Sequence, residues 1–203
     1  MTARIIVFAK APEAGRVKTR LIPRLGAAGA AELHVRLIGH ALRAASDAAL
    51  GPVELCADGW NASLEAAVTA IGATRSEQGG GDLGARMGRA IERGLSSDPN
   101  VILIGTDCIA LDAAYLRAAA QGLAATDAVF GPAEDGGYVL VAMRRLWTEA
   151  FDRIEWSTER VMAQTRERLQ GTGASWAELP TLWDIDRPED YDRLVASGIP
   201  ILG

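Results

Sequence analysis

The chain has 203 residues, which is enough for one domain with a full hydrophobic core, and 49% of them are hydrophobic and 23% charged, as in ordinary globular proteins. Its net charge of −5 argues against a general nucleic-acid-binding protein, which needs an excess of lysine and arginine on one face. We find no signal peptide, no membrane-spanning run and no disulfide or metal motif at Cys56 and Cys108, so we expect a cytoplasmic protein.

Strand-like and helix-like segments alternate along the chain. Apolar runs predict strands at 4–9, 53–58, 73–76, 101–105, 128–131, 138–143 and 175–179. Good helix formers predict helices at 27–49, 62–71, 83–95, 113–124, 158–169 and 188–196. This alternation predicts a single three-layer α/β domain over 1–203 with a mostly parallel sheet. Since no helix fits between 128–131 and 138–143, one of these strands should be antiparallel and the sheet mixed.

The apolar run Val-Ile-Leu-Ile at 101–104 leads through Gly-Thr to an acid, Asp107. A run of this kind is typical of a parallel strand buried on both faces. Ligands of open α/β sheets bind beyond the carboxyl ends of the strands. We therefore expect Asp107 at the mouth of a pocket, and its alternative role is to cap the helix that starts near Asp112.

The loop after the first strand is a positive island in a negative chain. Its cations are Lys10, Arg16, Lys18, Arg20 and, just beyond, Arg24. An anionic ligand such as a diphosphate would relieve their mutual repulsion, and Gly15 would shape the loop. A solvated basic loop is the alternative interpretation. The glycines that a P-loop requires before its lysine are missing, so we reject a P-loop.

A second loop, at 77–84, is rich in glycine. Gly79, Gly81 and Gly84 satisfy G-x-G-x-x-G, but the dinucleotide motif belongs in the first βα turn, so an NAD-dependent enzyme is disfavoured. Glycines do allow the backbone to approach a flat ligand closely. Gln78 is predicted to read a base edge and Asp82 to cap the next helix. A flexible surface loop is the alternative.

The segment 131–138 places two acids before two glycines. Asp135 and Gly136 are a favoured turn pair, so a hairpin alone would explain them. Glu134 and Tyr138 add polar groups that a turn does not require. Either acid could therefore hold a hydroxyl group or act as a general base.

The segment 183–191 contains a further pair of acids. Asp186 and Glu189 match a capping box with Pro188 in the first helical turn. We expect Asp184 to lie on the opposite face of an extended segment from Asp186, so that one caps and the other faces the pocket. Oxygen ligands suit Mg²⁺ or Mn²⁺, and Asp107 with one of these two acids would form a metal site.

Four further residues are less informative. Ser157 is predicted to cap the helix at 158–169, and Trp156 is more typical of a core than of a ligand platform. His34 and His40 lie in a long helix without metal-ligand partners nearby in sequence, and we assign them no role.

Six ordered motifs carry a family resemblance. They are F-A-K-A-P-x-x-G-x-V-K-T-R-L at 8–21, G-D-L-G-x-R-M at 81–87, I-G-T-D-C at 104–108, G-P-A-E-D-G-G-Y at 131–138, W-S-T at 156–158 and D-x-D-x-P-E-D at 184–190. The chain resembles the bacterial glycosyltransferase-A-like family of transferases associated with radical-SAM and selenium-domain proteins. It departs from the pattern at Ile109-Ala110, where Pro-Gly is common, and it lacks the Asp-x-Asp that many glycosyltransferases of this fold carry after strand four.

The resemblance implies a nucleotide-diphospho-sugar transferase fold that binds a nucleotide-activated donor and a small acceptor. We expect no nucleic-acid partner, and the protein could form a homodimer. The implied nucleotide and phosphate ligands are Lys10, Gly15, Arg16, Lys18, Arg20, Gln78, Gly81, Asp82 and Gly84. The implied ligands of Mg²⁺ or Mn²⁺ are Asp107, Asp184 and Asp186. The candidate catalytic residues are Asp135, Glu134 and Lys18, and the acceptor side comprises Gly136, Gly137, Tyr138, Trp156 and Ser157.

Three functions remain open from the sequence. We favour glycosyl transfer from a nucleoside-diphosphate sugar, in which Glu134 or Asp135 takes a proton from an acceptor hydroxyl. The alternative is a nucleotidyltransferase whose phosphorylated acceptor attacks a nucleoside triphosphate without a base. The lone Asp107 and the five loop cations favour that alternative. A sensor that binds without turnover is the third hypothesis.

Overall fold

The structure is a computed structural model that describes residues 1–199. Within them the strands are β1 (Arg4–Ala9), β2 (Val53–Ala57), β3 (Thr74–Glu77), β4 (Val101–Ile104), β5 (Ala128–Pro132), β6 (Tyr138–Met143) and β7 (Trp176–Glu178). The α-helices are α1 (Ile22–Ala48), α2 (Ala62–Ile71), α3 (Leu83–Leu95), α4 (Ala113–Gly122), α5 (Val161–Leu169) and α6 (Pro188–Ser197). Short 3₁₀ helices lie at Thr19–Leu21 and Thr148–Phe151. Every predicted strand and helix is present.

All seven strands form one sheet in the order β3-β2-β1-β4-β6-β5-β7. β6 runs antiparallel to both β4 and β5, and the remaining pairs are parallel. The prediction of a mixed sheet is therefore confirmed, with β6 as the reversed strand. In consequence, the carboxyl ends of six strands and the amino end of β6 meet at the same edge of the sheet.

Alternation of side chains across the strands builds two cores. In β1, Ile5 and Val7 pack on the side of α1, α2 and α4, whereas Ile6 packs on the side of α3 and α5. In β4, Ile104 and Leu103 are divided between the two sides in the same way. Both faces of the sheet are thus covered, as the continuous apolar strands require, and the predicted three-layer α/β fold is confirmed.

Two helices begin elsewhere than predicted. α1 starts at Ile22, with Pro23 in its first turn, and Gly26 interrupts it with a left-handed φ of 70°. α5 starts at Val161 instead of at position 158, because residues 156–160 form turns and a bend, with Ser157 at a left-handed φ of 65°. The prediction that Ser157 caps this helix is therefore wrong.

The structure also bears on two features of the sequence, its lack of a membrane-spanning run and its two cysteines. Within residues 1–199, no helix combines the length and the apolar character needed to cross a membrane. Cys56 and Cys108 are buried free thiols, and burial raises the pKa of Cys108 to about 12, so this thiol stays protonated at neutral pH.

Candidate functional site

A cleft of about 1360 Å³ opens at the edge where the strand ends meet. Its walls come from the loop after β1, the residues after β4, the turn between β5 and β6, and the segment that leads into α6. Pockets for one small molecule usually measure roughly 300–1,000 Å³. This cleft is therefore large enough for two reactants.

A buried lysine and an acid form the centre of the cleft. Asp107 follows β4 as predicted, and its Oδ1 lies 2.8 Å from Lys18 Nζ, which also donates to the Ile185 carbonyl. The Lys18 side chain is 3% exposed and that of Asp107 is 45% exposed. Burial raises the pKa of Asp107, but the charge and hydrogen bond of Lys18 outweigh it and hold that pKa below its usual value. Asp112, by contrast, caps α4.

Lys18 is buried, whereas a lysine that binds phosphate would be expected to extend into the cleft. Its ammonium group is enclosed by the protein and bound to Asp107 and Ile185, so it fixes the central carboxylate instead of standing free in the cleft. Its backbone is left-handed, with φ 48°, an unusual conformation for a residue other than glycine. A costly conformation of this kind is frequent at functional sites.

His34, to which the sequence assigned no role, also lines the cleft. Its side chain is 5% exposed, and its Nδ1 lies 3.9 Å from Asp107 Oδ1. Burial lowers the pKa of His34, against the opposing effect of Asp107, so the imidazole is neutral at neutral pH. Helical periodicity cannot reveal this residue, because its neighbours Lys10 and Asp107 belong to distant segments.

Asp184 and Asp186 both line the cleft, contrary to our expectation of opposite faces. Residues two apart in an extended segment share a face, and the side chain between them, Ile185, is the one that enters the core. The Ile185 N–H donates to the Asp107 carbonyl over 2.8 Å and joins the two segments. Burial, then the charges of Asp135 and Asp107, raise the pKa of Asp184 to about 6.

The capping box at the start of α6 lies one residue later than predicted, at Arg187 and Asp190 instead of Asp186 and Glu189. Asp190, and not Asp186, accepts hydrogen bonds from the Arg187 N–H at 2.7 Å and the Asp186 N–H at 3.1 Å. Asp186 instead forms an ion pair with Arg20. Its carboxylate is therefore less available to a metal ion than that of Asp184, which makes no ion pair with any residue in the described range.

Carboxylates of the protein already neutralise most of the positive loop. The ion pairs are Arg16–Glu13, Lys18–Asp107, Arg20–Asp186 and Arg24–Asp192. Over residues 1–199, Lys10 is the member of the five without an ion pair, and it lines the cleft. The protein's own carboxylates therefore relieve much of the repulsion for which we expected an anionic ligand, and Lys10, Arg16 and Arg20 remain exposed at the cleft.

Most of the glycine-rich loop serves packing and capping. The Gln78 amide group donates to the carbonyls of Ala9 and Cys56, so its hydrogens are not free to read a base. Asp82 caps α3, as predicted, by accepting from the Ala85 N–H. A Cβ on Gly84 would lie 2.7 Å from the Trp156 ring, so that glycine permits close packing. Asp82, Gly81, Gly84 and Gly15 do not line the cleft.

The two acids of the β5–β6 turn have different environments. Both oxygens of Glu134 accept from Arg193, at 2.8 and 3.3 Å, and the hydrogen bond from this arginine lowers the pKa of Glu134. Asp135 is exposed and accepts from the Gly137 N–H through Oδ1 at 2.8 Å, and it forms no ion pair with any of residues 1–199. Asp135 is therefore the better candidate for accepting a proton.

Aromatic side chains form the wall beyond β6. Tyr138 packs edge-to-face on Phe130 and on Trp156, with ring centroids 5.6 and 6.4 Å apart. Burial raises the pKa of Tyr138 strongly, so its hydroxyl group is neutral. The residues predicted for the acceptor side all line the cleft; they are Tyr138, Trp156, Ser157, Gly136 and Gly137.

Gly136 connects this turn to the start of α5. Its carbonyl accepts from the Met162 N–H, its φ is 88°, and a Cβ here would lie 2.1 Å from the Glu159 carbonyl oxygen. We expect Gly136→Ala to lower the free energy of unfolding by about 2–4 kcal/mol, measured by urea denaturation. Gly171→Ala has the left-handed φ without the clash and should cost less. An equal effect of both variants would contradict the packing argument.

Comparisons with known proteins agree with this architecture. The family model described as "Uncharacterized protein conserved in bacteria (DUF2064)" matches residues 41–158. A candidate nucleotide-diphospho-sugar transferase from Desulfovibrio desulfuricans G20 is 28% identical, with a TM-score of 0.88 over 98% of this chain and 89% of that one. A comparison with curated proteins found no match.

Two more distant structures share the fold. A CMP:2-keto-3-deoxy-manno-octonic acid synthetase complexed with CTP is 14% identical, with a TM-score of 0.62 over 98% of this chain and 100% of that one. Glucosyl-3-phosphoglycerate synthase from Mycobacterium tuberculosis, solved with Mn²⁺, UDP and glucosyl-3-phosphoglycerate, is 13% identical, with a TM-score of 0.56 over 96% and 75%. The predicted fold of nucleotide-diphospho-sugar transferases is thereby confirmed.

Proposed function

Since this chain belongs to the bacterial family DUF2064 and has the fold of nucleotide-utilising transferases, we propose that it transfers a glycosyl group from a nucleoside-diphosphate sugar to the hydroxyl group of a small acceptor. The observation that supports this proposal is the arrangement of acids at the cleft centre. Asp107 is fixed by Lys18. Asp184 and Asp135, which have no ion pair within residues 1–199, lie near enough for the charge of one to affect the other.

The donor diphosphate would bind on the β1 side of the cleft. Lys10 is exposed there without an ion pair among the described residues, and Arg16 and Arg20 are exposed pairs that can exchange a carboxylate for a phosphate. Surface ion pairs are worth about 0–1 kcal/mol, so this exchange has a small cost. The acceptor would bind on the β6 side, against Tyr138 and Trp156.

The donor set fits a divalent metal ion, Mg²⁺ or Mn²⁺. Asp107 and Asp184 would hold it. Burial, and then the charges of Asp135 and Asp107, raise the pKa of Asp184, and Lys18 offsets this rise only in part, so a bound cation would stabilise the ionised carboxylate. Those residues contain no cluster of three His, Cys, Asp or Glu side chains arranged as a metal cage. Mg²⁺ commonly binds through one or two carboxylates together with substrate phosphates, so two acids suffice. When bound, the ion would supply positive charge beside the leaving diphosphate.

The chain's own residues would then have distinct tasks. Lys18 holds the Asp107 carboxylate in place, and the Gly137 N–H orients Asp135 through Oδ1. Asp135 would accept the proton of the acceptor hydroxyl group at Oδ2, the oxygen that the Gly137 N–H does not engage. Glu134 is a weaker base because Arg193 engages both of its oxygens, and it would stabilise the turn instead.

The charge distribution favours glycosyl over nucleotidyl transfer. A nucleoside triphosphate with a phosphorylated acceptor would bring more negative charge than a diphosphate sugar with a neutral alcohol. Of the five loop cations, Lys18 is buried against Asp107 and Arg24 does not line the cleft, so three exposed cations remain to balance the larger negative charge. A phosphorylated acceptor also has no need of a base such as Asp135.

A thermal-shift panel with Mn²⁺ tests the proposal. We expect nucleoside-diphosphate sugars to raise the melting temperature by several degrees, because a ligand at about 100 times its Kd stabilises the fold by about 2.7 kcal/mol. EDTA should remove the shift. Stabilisation by nucleoside triphosphates alone would contradict glycosyl transfer and indicate a nucleotidyltransferase. Tight metal-independent binding without turnover would indicate a sensor.

A further inference from the structure

The imidazole of His34 has one nitrogen in use and one without a partner. Its Nε2 lies 3.2 Å from the Lys10 carbonyl oxygen, which can only accept, so the proton sits on Nε2. Its Nδ1 is then an acceptor, and it is buried at 3.9 Å from Asp107 Oδ1 without a hydrogen-bond partner in the part of the chain that the structure describes. A buried unsatisfied polar atom costs free energy that a leucine at this position would avoid. A purely structural role therefore explains His34 poorly.

Side chains from three elements fix the start of the loop after β1. The Gln78 amide donates to the Ala9 carbonyl at 2.8 Å, and Asp58 accepts from the Ala11 N–H at 2.7 Å. His34 holds the residue between them, Lys10. Of these three side chains, His34 is the one that also approaches Asp107. Its ring thus spans the gap between the loop backbone and the central carboxylate.

We propose that His34 is a positioning residue for the donor, which sets the spacing between the Lys10 backbone and Asp107. This inference rests on the proposed function, in which Lys10 and Asp107 act on one diphosphate. The ring is bonded to the Lys10 carbonyl and lies 3.9 Å from the Asp107 carboxylate, so its bulk limits how closely the loop and the carboxylate can approach each other. A ligand that needs both ends then binds without first ordering the loop.

The test compares two variants of His34 with one of His40. His34→Leu removes the hydrogen bond to Lys10, whereas His34→Gln can return a donor near the position of Nε2. His40→Leu is the matched control, because His40 lies on the same helix with its Nε2 3.0 Å from the Leu111 carbonyl but does not line the cleft. Pyrophosphate with Mg²⁺ is the probe, since its binding does not depend on the nucleotide base. Calorimetry gives its Kd, and hydrogen exchange reports on the amides of residues 11, 13 and 16.

We expect His34→Leu to weaken pyrophosphate binding about tenfold and to speed exchange at the loop amides, without lowering the melting temperature of the ligand-free protein. His34→Gln should restore both properties, and His40→Leu should change neither. Normal binding and exchange in His34→Leu, or no restoration by glutamine, would overturn the inference. If the wild-type protein does not bind pyrophosphate with Mg²⁺, the proposed function fails, and the exchange rates alone decide the role of His34.

Discussion

Asp107→Ala should abolish the metal-dependent binding of nucleoside-diphosphate sugars and also destabilise the protein. The substitution leaves the Lys18 ammonium group buried, with the Ile185 carbonyl as its remaining partner. Breaking a buried ion pair costs about 3–5 kcal/mol, and we expect about 3 kcal/mol because Asp107 is partly exposed. Thermal denaturation followed by circular dichroism should show a melting temperature lowered by about 6–12 °C.

A double variant separates the two effects of Asp107. Lys18→Met in the background of Asp107→Ala removes the unpaired charge and should restore much of the lost stability, because an apolar side chain replaces a buried ion. It should not restore the metal-dependent thermal shift. Recovery of ligand binding in the double variant would show that Asp107 serves only to neutralise Lys18.

Asp184→Asn is expected to have the opposite effect on stability. The pKa of Asp184 is about 6, above its ordinary value near 4, because of burial and the neighbouring Asp135 and Asp107. A raised carboxyl pKa contributes stability that is present below the unfolded pKa and is lost as the pH rises through the folded one. At pH 7.5 the ionised Asp184 therefore weakens the metal-free fold. The variant should melt a few degrees higher, at about 2–4 °C per kcal/mol recovered.

The pH dependence provides the check on this prediction. Without metal, wild-type stability should fall between about pH 4 and pH 6 relative to that of Asp184→Asn. The exposed Asp47, outside the cleft, gives the control variant Asp47→Asn, which should follow the wild type. Added Mn²⁺ should stabilise the wild type and leave Asp184→Asn unaffected. If Asp184→Asn were less stable than the wild type at pH 7.5, this result would contradict the prediction that the ionised Asp184 weakens the metal-free fold.

Local sequence patterns were sufficient to predict most of the fold. Apolar runs predicted the strands and runs of good helix formers predicted the helices, because a strand that is covered on both faces needs a continuous apolar run. The short turn before Tyr138 predicted that one strand is antiparallel. Asp107 could be placed for the same reason, since a residue directly after a central strand has little freedom. The start of α5 was missed because the left-handed Ser157 leaves no signature in a serine.

Local sequence patterns could not predict which side chains of distant segments form ion pairs and hydrogen bonds with each other. The ion pair of Arg20 with Asp186 joins residues 166 positions apart, and the sequence shows only that each carries a charge. The same holds for His34 beside Asp107 and for Gln78 beside Ala9. The positive loop therefore looked uncompensated in the sequence, although tertiary structure brings carboxylates to most of its cations. Site chemistry depends on these contacts more than the fold does.

The reversed direction of β6 has a consequence for how this protein could diversify. Because β6 starts at the same edge where β5 ends, one short hairpin connection supplies the acids, the glycines and Tyr138 to one flank of the mouth. The cations of the other flank come from the first twenty-odd residues, on the far side of β4. In the proposed reaction, substitutions or insertions in the hairpin would therefore change which acceptor binds, while the donor subsite beside β1 would stay unchanged.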